Sequence, residues 1–530
     1  MPILQGLERS MHYELCLEDL IGSDNEIRVI DAFVDVLDVE SMGFQIKGKS
    51  KEGRPAYSVK CLLKLYMYGY LNRVRSSRRL EREARTNVEA MWLVQALQPK
   101  YKTICNFRKD NTAGLKAVFR KFNTFYKDWD LFGCETLALD SVKMRAQNSK
   151  KNNYNDKKVK QHLDYIDRKL EQYMEELDQM DELEGESEQL HELLHEHAQK
   201  MEELQVRKAK YEGLEEQLKV AKEVGQTQIS TTDADARALP KKMNIVEVSY
   251  NFQAVVDEKN KLFVNTKATN ENDTYGLSEP LIEAKDFLEV DRIDGLADKG
   301  YDTGSEHKKC AEAGIVTYVA PRQKNTSKKD PAYVKEKFIY DEEQDHYTCP
   351  QGKQLKSNGN WYQKNSGNPL RQPYQVKVYK LPFSVCDACP VKEKCAGAAN
   401  LKNSKGRPIE RSEYEDYLQE NRERIKISKD YYRQRQAIVE HPFGTIKRGW
   451  GFDYMLLKGM EKVDAEFQLI ATAYNLRRVI NIFGVRILLE KLEALKKEGS
   501  AIFSSLLQPI LSFKERFFSI FMKIEIRLVV

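Results

Sequence analysis

The apolar residues of this 530-residue chain change their spacing several times, and each change predicts a different kind of element. In "YSVKCLLKLYMYGYLNRVRSSRRLEREARTNVEAMWLVQAL" they recur every three or four positions, which predicts amphipathic helices. "QPKYKTICNFRKDN" adds a short turn and a further helix. From Leu163 the three-and-four rhythm becomes regular, through Ile166, Leu170, Tyr173, Leu177 and Met180. It breaks near "ELEGESE" and resumes at Leu190, Leu194, His197, Met201 and Leu204. A heptad seam interrupted once predicts two antiparallel helices joined near Gly185. On either side of that hairpin, "ETLALD", "NIVEVSYNFQAVVDEK", "KLFVNTKAT" and "VDRIDGLADKG" read as strands, the middle two as a β-hairpin turning at "DEKN". A helix is predicted over Ser278 to Leu288, and "EKVDAEFQLIATAYNLRRVINIFG" is an amphipathic helix expected to pack on the sheet.

This order predicts an α+β or α/β chain assembled in pieces. An all-α domain over 1–130 precedes a mixed-sheet core, itself split into 131–162, 226–340 and 401–484. A helical, coiled-coil hairpin over 163–225 interrupts the core after its first strand, a cysteine-rich insertion occupies 341–400, and a helical tail runs over 485–530. The hairpin reads equally as an arm for dimerisation or DNA handling and as an insertion packed on itself.

Charge adds a partner to this outline. The net charge is only +5, but residues 51–130 carry 18 Lys and Arg against 7 Asp and Glu. Arg73, Arg75, Arg78, Arg79, Arg82 and Arg85 recur beside a tight turn between helices, the footprint expected of a nucleic-acid contact. No run of apolar residues is long enough to span a bilayer, so no membrane partner is expected and the location expected is cytoplasmic. Five of the nine cysteines are scattered, which suits a reducing compartment. The other four, Cys349, Cys386, Cys389 and Cys395, form a Cys-x2-Cys-x5-Cys group with one outlying partner, a count and spacing that predict a closed structural Zn²⁺ site.

Candidate chemistry comes from acids at strand ends. Asp140 ends one predicted strand and Asp298 another, positions that face the crevice where ligands gather in sheets of this kind. Paired hard-oxygen donors suit Mg²⁺ or Mn²⁺, whose shells phosphate and water complete. Glu440, in "AIVEHPFGTIKRG", is a lone acid among Arg433, Arg435, Lys447 and Arg448. Arg433, Glu440 and Lys447, seven residues apart, share a helical face, and the cations are candidate phosphate holders. Pro442 predicts that Glu440 sits at a kink or near a helix start. Arg237, in "STTDADAR", offers a further DNA contact, with capping by Asp233 or Asp235 the equal alternative.

Taken in order, "LALDSVKMRAQNS", "STTDADAR", "VSYNFQAVVDEKNKLFVNTKAT", "LADKGYDT" and "VEHPFGTIKRGWGF" resemble the DDE transposases of bacterial insertion sequences, as does the N-terminal "GRPAYSVKCLLKLYMYGYLNRVRSSRRLERE". The resemblance covers roughly residues 5–484. It implies a ribonuclease H-like core, a catalytic metal triad of Asp140, Asp298 and Glu440 with two Mg²⁺ or Mn²⁺ ions, and cleavage of element ends followed by strand transfer. It also implies DNA as partner and a homodimer on that DNA. Lys447 is similar to the lysine of the family's "YREK" signature, whose Tyr and Arg would fall at 433 and 436, where this chain has Arg433 and Gln436. The rival expectations are a related metal-dependent nuclease that does not join strands and an inactive DNA-binding derivative.

Overall fold

The computed structural model describes the backbone over residues 14, 16–45, 55–181, 188–223, 225–241, 245–322, 330–365, 373–396, 400, 402–403 and 406–527, and side chains over the same ranges except 180–181, 188–191, 194 and 498–527. Gly185, Leu190 and Leu194 of the predicted hairpin therefore lie outside the described side chains. The chain forms two units: Met1–Phe132 with Gly444–Phe452 and Glu461–Val530, and Gly133–Phe443 with Asp453–Met460. Among the described residues no helix is long and apolar enough to cross a membrane.

The first unit is helical. Its central helix, Val59–Leu71, is apolar on nearly every side, so Cys61 through Leu71 are all buried and the helix serves as a core. Ser58 starts it by accepting a hydrogen bond from the Cys61 N–H at 3.1 Å, and Asn87 does the same for Val88–Leu93. Between them runs Ser77–Thr86, which buries only Leu80 and Ala84 and leaves Arg78, Arg79, Arg82 and Arg85 exposed. Arg73 is also exposed.

Arg75 corrects the expectation drawn from its neighbours. It is buried, lies over the Phe452 ring at 4.2 Å and faces the fully buried Glu466 at 3.8 Å. A cation enclosed with its counter-ion is part of the core and is not presented to a polyanion. The C-terminal helical segment, Met460–Arg527, which is two helices meeting at a kink at Gly484 (φ 72°), corrects another expectation, for it is grouped with the N-terminal helices and not with the sheet. Lys116 pairs with Asp464 at 2.6 Å, and Asn475 Nδ2 donates to Asn123 Oδ1 at 3.0 Å in the buried interior. These polar contacts fix the helix against partners some 350 residues earlier, where the apolar stripe alone would accept any apolar surface.

The second unit is built on a mixed sheet. Its strands are β1 (Thr136–Arg145), β2 (Arg237–Pro240), β3 (Val246–Asp257), β4 (Phe263–Thr269), β5 (Ile293–Ala297) and β6 (Ile315–Val319). They lie in the order β2-β3-β1-β5-β6, with β4 also paired to β3. β3 pairs antiparallel with β1 and β4, whereas β1–β5 and β5–β6 are parallel. The predicted hairpin and the helix Ser278–Leu288 are both present. β3 is buried on both faces from Val248 onward, as a central strand must be.

Two appendages interrupt this core. Asp156–Asp181 and Glu188–Glu223 run antiparallel, as the pairs Lys222–Asp156 (2.8 Å) and Lys208–Asp167 (2.7 Å) require. Ile166, Leu204, Tyr211, Leu214 and Leu218 form their seam. Residues 338–412 form a lobe of two three-stranded sheets.

Replacing Arg75 by Ala leaves Glu466 buried without it, so the helical unit should lose roughly 3 kcal/mol, the cost of breaking a buried pair from one side. Arg79→Ala, on the exposed face, should change stability by less than about 0.5 kcal/mol. Urea denaturation of both variants measures the contrast.

Candidate active site

The register of two parallel strands brings the first two predicted acids together. Leu139 of β1 pairs with Ala297 of β5, so Asp140 and Asp298 come next on neighbouring strands, which in any sheet are about 4.8 Å apart. Each carboxylate is oriented by the backbone: Asp140 Oδ1 accepts from the Ser141 N–H and Asp298 Oδ1 from the Lys299 N–H, both at 2.7 Å. Asp298 thereby caps the short 3₁₀ turn Lys299–Tyr301.

Burial pushes the pKa of Asp140 up, and the charges of Asp298 and Asp273 push the same way, against Arg435 and the Ser141 N–H. Arg435 Nη1 donates to Asp140 Oδ2 at 3.2 Å. Burial works against the charge on Arg435, but Asp140, Tyr432 and Asp298 outweigh it and its pKa is raised. Tyr432, whose hydroxyl donates to the Ala297 carbonyl at 3.2 Å, belongs to the same cluster.

Asp273 was not singled out from the sequence. Its Oδ1 accepts from Asn251 Nδ2 at 2.8 Å and from Gln253 Nε2 at 3.1 Å. The buried hydroxyl of Tyr301 donates to Gln253 Oε1, so a polar network beneath the site joins Asp273 to the turn that carries Asp298. Arg435 and Tyr432 were also missed as a pair. They keep the three-residue spacing of the signature's Tyr and Arg, one position before 433 and 436, and that spacing was the available signal.

Glu440 stands apart from the pair of acids. It is exposed on the helix Lys429–Gly444, and its Oε1 accepts from Gln436 Nε2 one turn earlier at 2.7 Å. Glu440 does not lie near a helix start: the helix begins at Lys429, continues through the buried Pro442 and passes into the π-helical stretch Thr445–Gly449. Pro442 removes the N–H that would otherwise bond the Ile438 carbonyl, a loss the helix absorbs without ending there. Among the described residues no three His, Cys, Asp or Glu side chains stand close enough together to hold a metal ion.

The predicted cations divide. Arg433 is exposed and pairs with Asp430 at 2.8 Å, a contact of little energetic weight. Lys447 and Arg448 lie in the π-helical stretch and belong to the helical unit. Arg237 corrects its assignment as a DNA contact: it is buried, Nη1 donating to the Ala236 carbonyl at 2.9 Å and Nη2 to Gln226 Oε1 at 2.6 Å. Asp233 and Asp235 accept from the Gly459 and Met460 N–H groups, at 3.1 and 2.7 Å. The capping alternative therefore describes "TDADAR". Cys349, Cys386, Cys389 and Cys395 are all free thiols and line one cavity of about 380 Å³ in the lobe.

Comparison with known families adds two matches. A profile described as a transposase DDE domain matches residues 348–480, which include Arg435, Glu440 and the four cysteines. A profile described as a transposase domain (DUF772) matches residues 15–110, which include the arginine-bearing helix. Asp140 and Asp298 lie outside both. Comparisons with the curated proteins and with solved structures give no match.

The raised pKa of Asp140 fixes a sign. A carboxylate whose folded pKa lies above its unfolded value favours folding at low pH and loses that contribution as pH rises through the folded pKa. Between about pH 4 and about pH 7 the Asp140→Asn variant should therefore gain stability relative to the parent chain. Melting temperatures of the two proteins without metal, compared across that range, report it; a difference that shrinks as pH rises would contradict the placement of Asp140.

Proposed function

We propose, for a chain that belongs to the DDE transposases of insertion sequences, that it cuts the ends of its element and joins the freed 3′ ends to target DNA. The observation carrying this reading is the register that sets Asp140 beside Asp298, with Arg435 paired to the first. The sheet supports a ribonuclease H-like core, because its central strand β1 carries the first acid between an antiparallel and a parallel neighbour.

The donor set fits a hard divalent cation. Its atoms are carboxylate oxygens, and the upward pKa of Asp140 records negative charge in want of compensation. Asp140 and Asp298 would hold Mg²⁺ or Mn²⁺, with Glu440 joining them only once its helix turns it toward the pair; the ion would supply positive charge at the scissile phosphate and favour a deprotonated attacking oxygen. The Ser141 and Lys299 N–H groups keep the two aspartates aimed. Arg435, relieved of pairing with Asp140, has a guanidinium to offer a phosphate oxygen, and Arg433, Lys447 and Arg448 extend that service along the backbone.

In the first step a water oxygen bonds to phosphorus and the bond to the 3′ oxygen breaks, leaving a 3′-hydroxyl and a 5′-phosphate. In the second, that 3′-hydroxyl bonds to a target phosphorus and displaces the target's own 3′ oxygen. Both are in-line displacements, so one set of acids serves both. Arg73, Arg78, Arg79 and Arg82 bind the element end, and a second copy of the chain holds the other end.

Incubated with Mg²⁺ and the DNA flanking its own gene, the protein should release 3′-hydroxyl ends, and with pre-cut ends it should yield joined product. Asp140→Ala, Asp298→Ala and Glu440→Ala should each cut activity by roughly 10³-fold or more, as removal of one member of a concerted set does. Cutting without joining would favour a nuclease, and undiminished cutting in the folded variants would remove these acids from the site.

Replacing Arg78, Arg79 and Arg82 together by Ala should weaken DNA binding and flatten its dependence on log salt by about 3 units. Titrations at several salt concentrations measure the slope, and an unchanged slope would put the contact elsewhere.

A further inference from the structure

The lobe over residues 338–412 is too thinly cored to be held by burial alone. Among the described residues its buried cluster is Phe338, Tyr347, Leu355, Tyr379 and Ile409, spread between two three-stranded sheets. Domains with so few apolar residues ordinarily depend on a covalent or metal staple. No disulfide is present, and the cysteines Cys349 and Cys395 pack against the cluster.

The four sulfurs approach from separate segments. Cys349 follows the strand His346–Thr348 in a tight turn, in which the Gly352 N–H donates to the Cys349 carbonyl at 2.8 Å and the Lys353 N–H to Cys349 Sγ at 3.3 Å. Gly352 closes that turn at φ 71°, which a side chain would resist. Cys386 and Cys389 flank the end of the short helix Phe383–Asp387, and Cys395 lies in Lys392–Ala396. A Cβ on Gly406 would come within 2.6 Å of Cys386 Sγ, so the chain passes against that sulfur only because the residue is glycine. The next N–H, of Arg407, is directed at Cys386 as well.

Backbone N–H groups aimed at two sulfurs gain most when the sulfurs are thiolates, because hydrogen bonds to ionised acceptors are the stronger ones. Lys353, Lys392 and Arg407 line the same cavity and favour the same charge. Burial pushes the Cys395 thiol up, and charge on each of the other three cysteines pushes it the same way against Arg407, so the sulfurs sense one another and a bound cation is what would favour their ionisation. The sulfurs line the cavity without meeting at one point, so a metal must draw them inward by side-chain rotation.

We propose that Cys349, Cys386, Cys389 and Cys395 bind one structural zinc ion that closes this lobe. Four thiolates make a complete tetrahedral shell with no open position, so the ion takes no part in phosphate chemistry. Binding releases the thiol protons to solvent.

The full chain, expressed with added zinc and purified without chelator, should carry about one zinc ion per chain by mass spectrometry. Cys386→Ser with Cys389→Ser should lower that below about one-tenth, whereas Cys16→Ser should leave it unchanged. Should the double variant fail to fold, cobalt substituted into the parent protein decides the matter. Expected are intense thiolate-to-cobalt charge-transfer bands and the visible bands of a tetrahedral ion. Zinc content no higher than in the double variant, the octahedral cobalt spectrum, or the absorption of an iron–sulfur cluster would each overturn the proposal. No measurement here uses DNA cleavage, so failure would leave the reading of Asp140 and Asp298 untouched.

Discussion

Two carboxylates on adjacent parallel strands impose a cost that the surrounding structure has to meet. Asp140 and Asp298 follow the paired residues Leu139 and Ala297, so neither can move away without breaking the β1–β5 ladder. Burial and like charge both disfavour ionised Asp140. Backbone N–H groups absorb part of that penalty, and the Arg435 guanidinium absorbs more. Negative charge held under these conditions is relieved by a nearby cation, because the cation offsets both the burial and the like-charge contributions.

The helix that carries Arg435 is itself fastened to the strands bearing the acids. Tyr431 shares hydrogen bonds with Thr136 at 2.8 Å and Asp294 at 2.9 Å, and Tyr432 reaches the Ala297 carbonyl. Thr136 and Asp294 are themselves a register pair of β1 and β5. Tyr431 thus spans both strands at the far end from the acids, Tyr432 holds the near end beside Asp298, and together they set the azimuth of the helix. Arg435 lies one turn beyond Tyr431 and points at Asp140. Glu440, five residues further, is about 140° around the helix from Arg435 at 100° per residue, which accounts for its facing away from the ion pair.

The same comparison shows what a sequence can say. The β-rich runs flanking the turn in "NFQAVVDEKNKLFVNTKAT" and the apolar spacing of the helix Ser278–Leu288 were legible because both are local properties of the chain. Asp298 was legible as a strand-end acid, whereas Asp140, expected to end its strand, lies inside β1, which runs on to Arg145; their pairing is a register that follows from the order of the strands. Charges were less informative. Arg75, Arg78 and Arg79 look alike in the sequence, yet one is enclosed with Glu466 and two are exposed, a difference decided by partners some 390 residues away for Arg75. The same ambiguity hid the structural role of Arg237. Helical-face reasoning from Glu440 selected Arg433, because it assumed that the acid and its cation share a face; Tyr431 and Tyr432 orient the helix otherwise.

The cysteine lobe and the glutamate helix are consecutive, and their connection has a physical consequence. The strand Ile409–Ser412 leads directly into the helix Glu415–Ile427. Asn421 of that helix joins the edge of the sheet with both ends of its amide, Oδ1 accepting from the Val319 N–H at 2.9 Å and Nδ2 donating to the Val319 carbonyl at 2.8 Å. Buried Glu415 collects Lys335 at 2.7 Å and Arg422 at 3.1 Å, so the segment that leads into the lobe, the first turn of the helix and its middle are held at one point. Lys429–Gly444 begins two residues after that helix ends. A lobe that is well ordered therefore delivers the chain to the glutamate helix from a fixed origin, whereas a loose one would leave the entry to that helix dependent on Asn421 and Glu415 alone. Order in a segment remote from Asp140 and Asp298 is in this way a condition for placing the helix that carries Glu440.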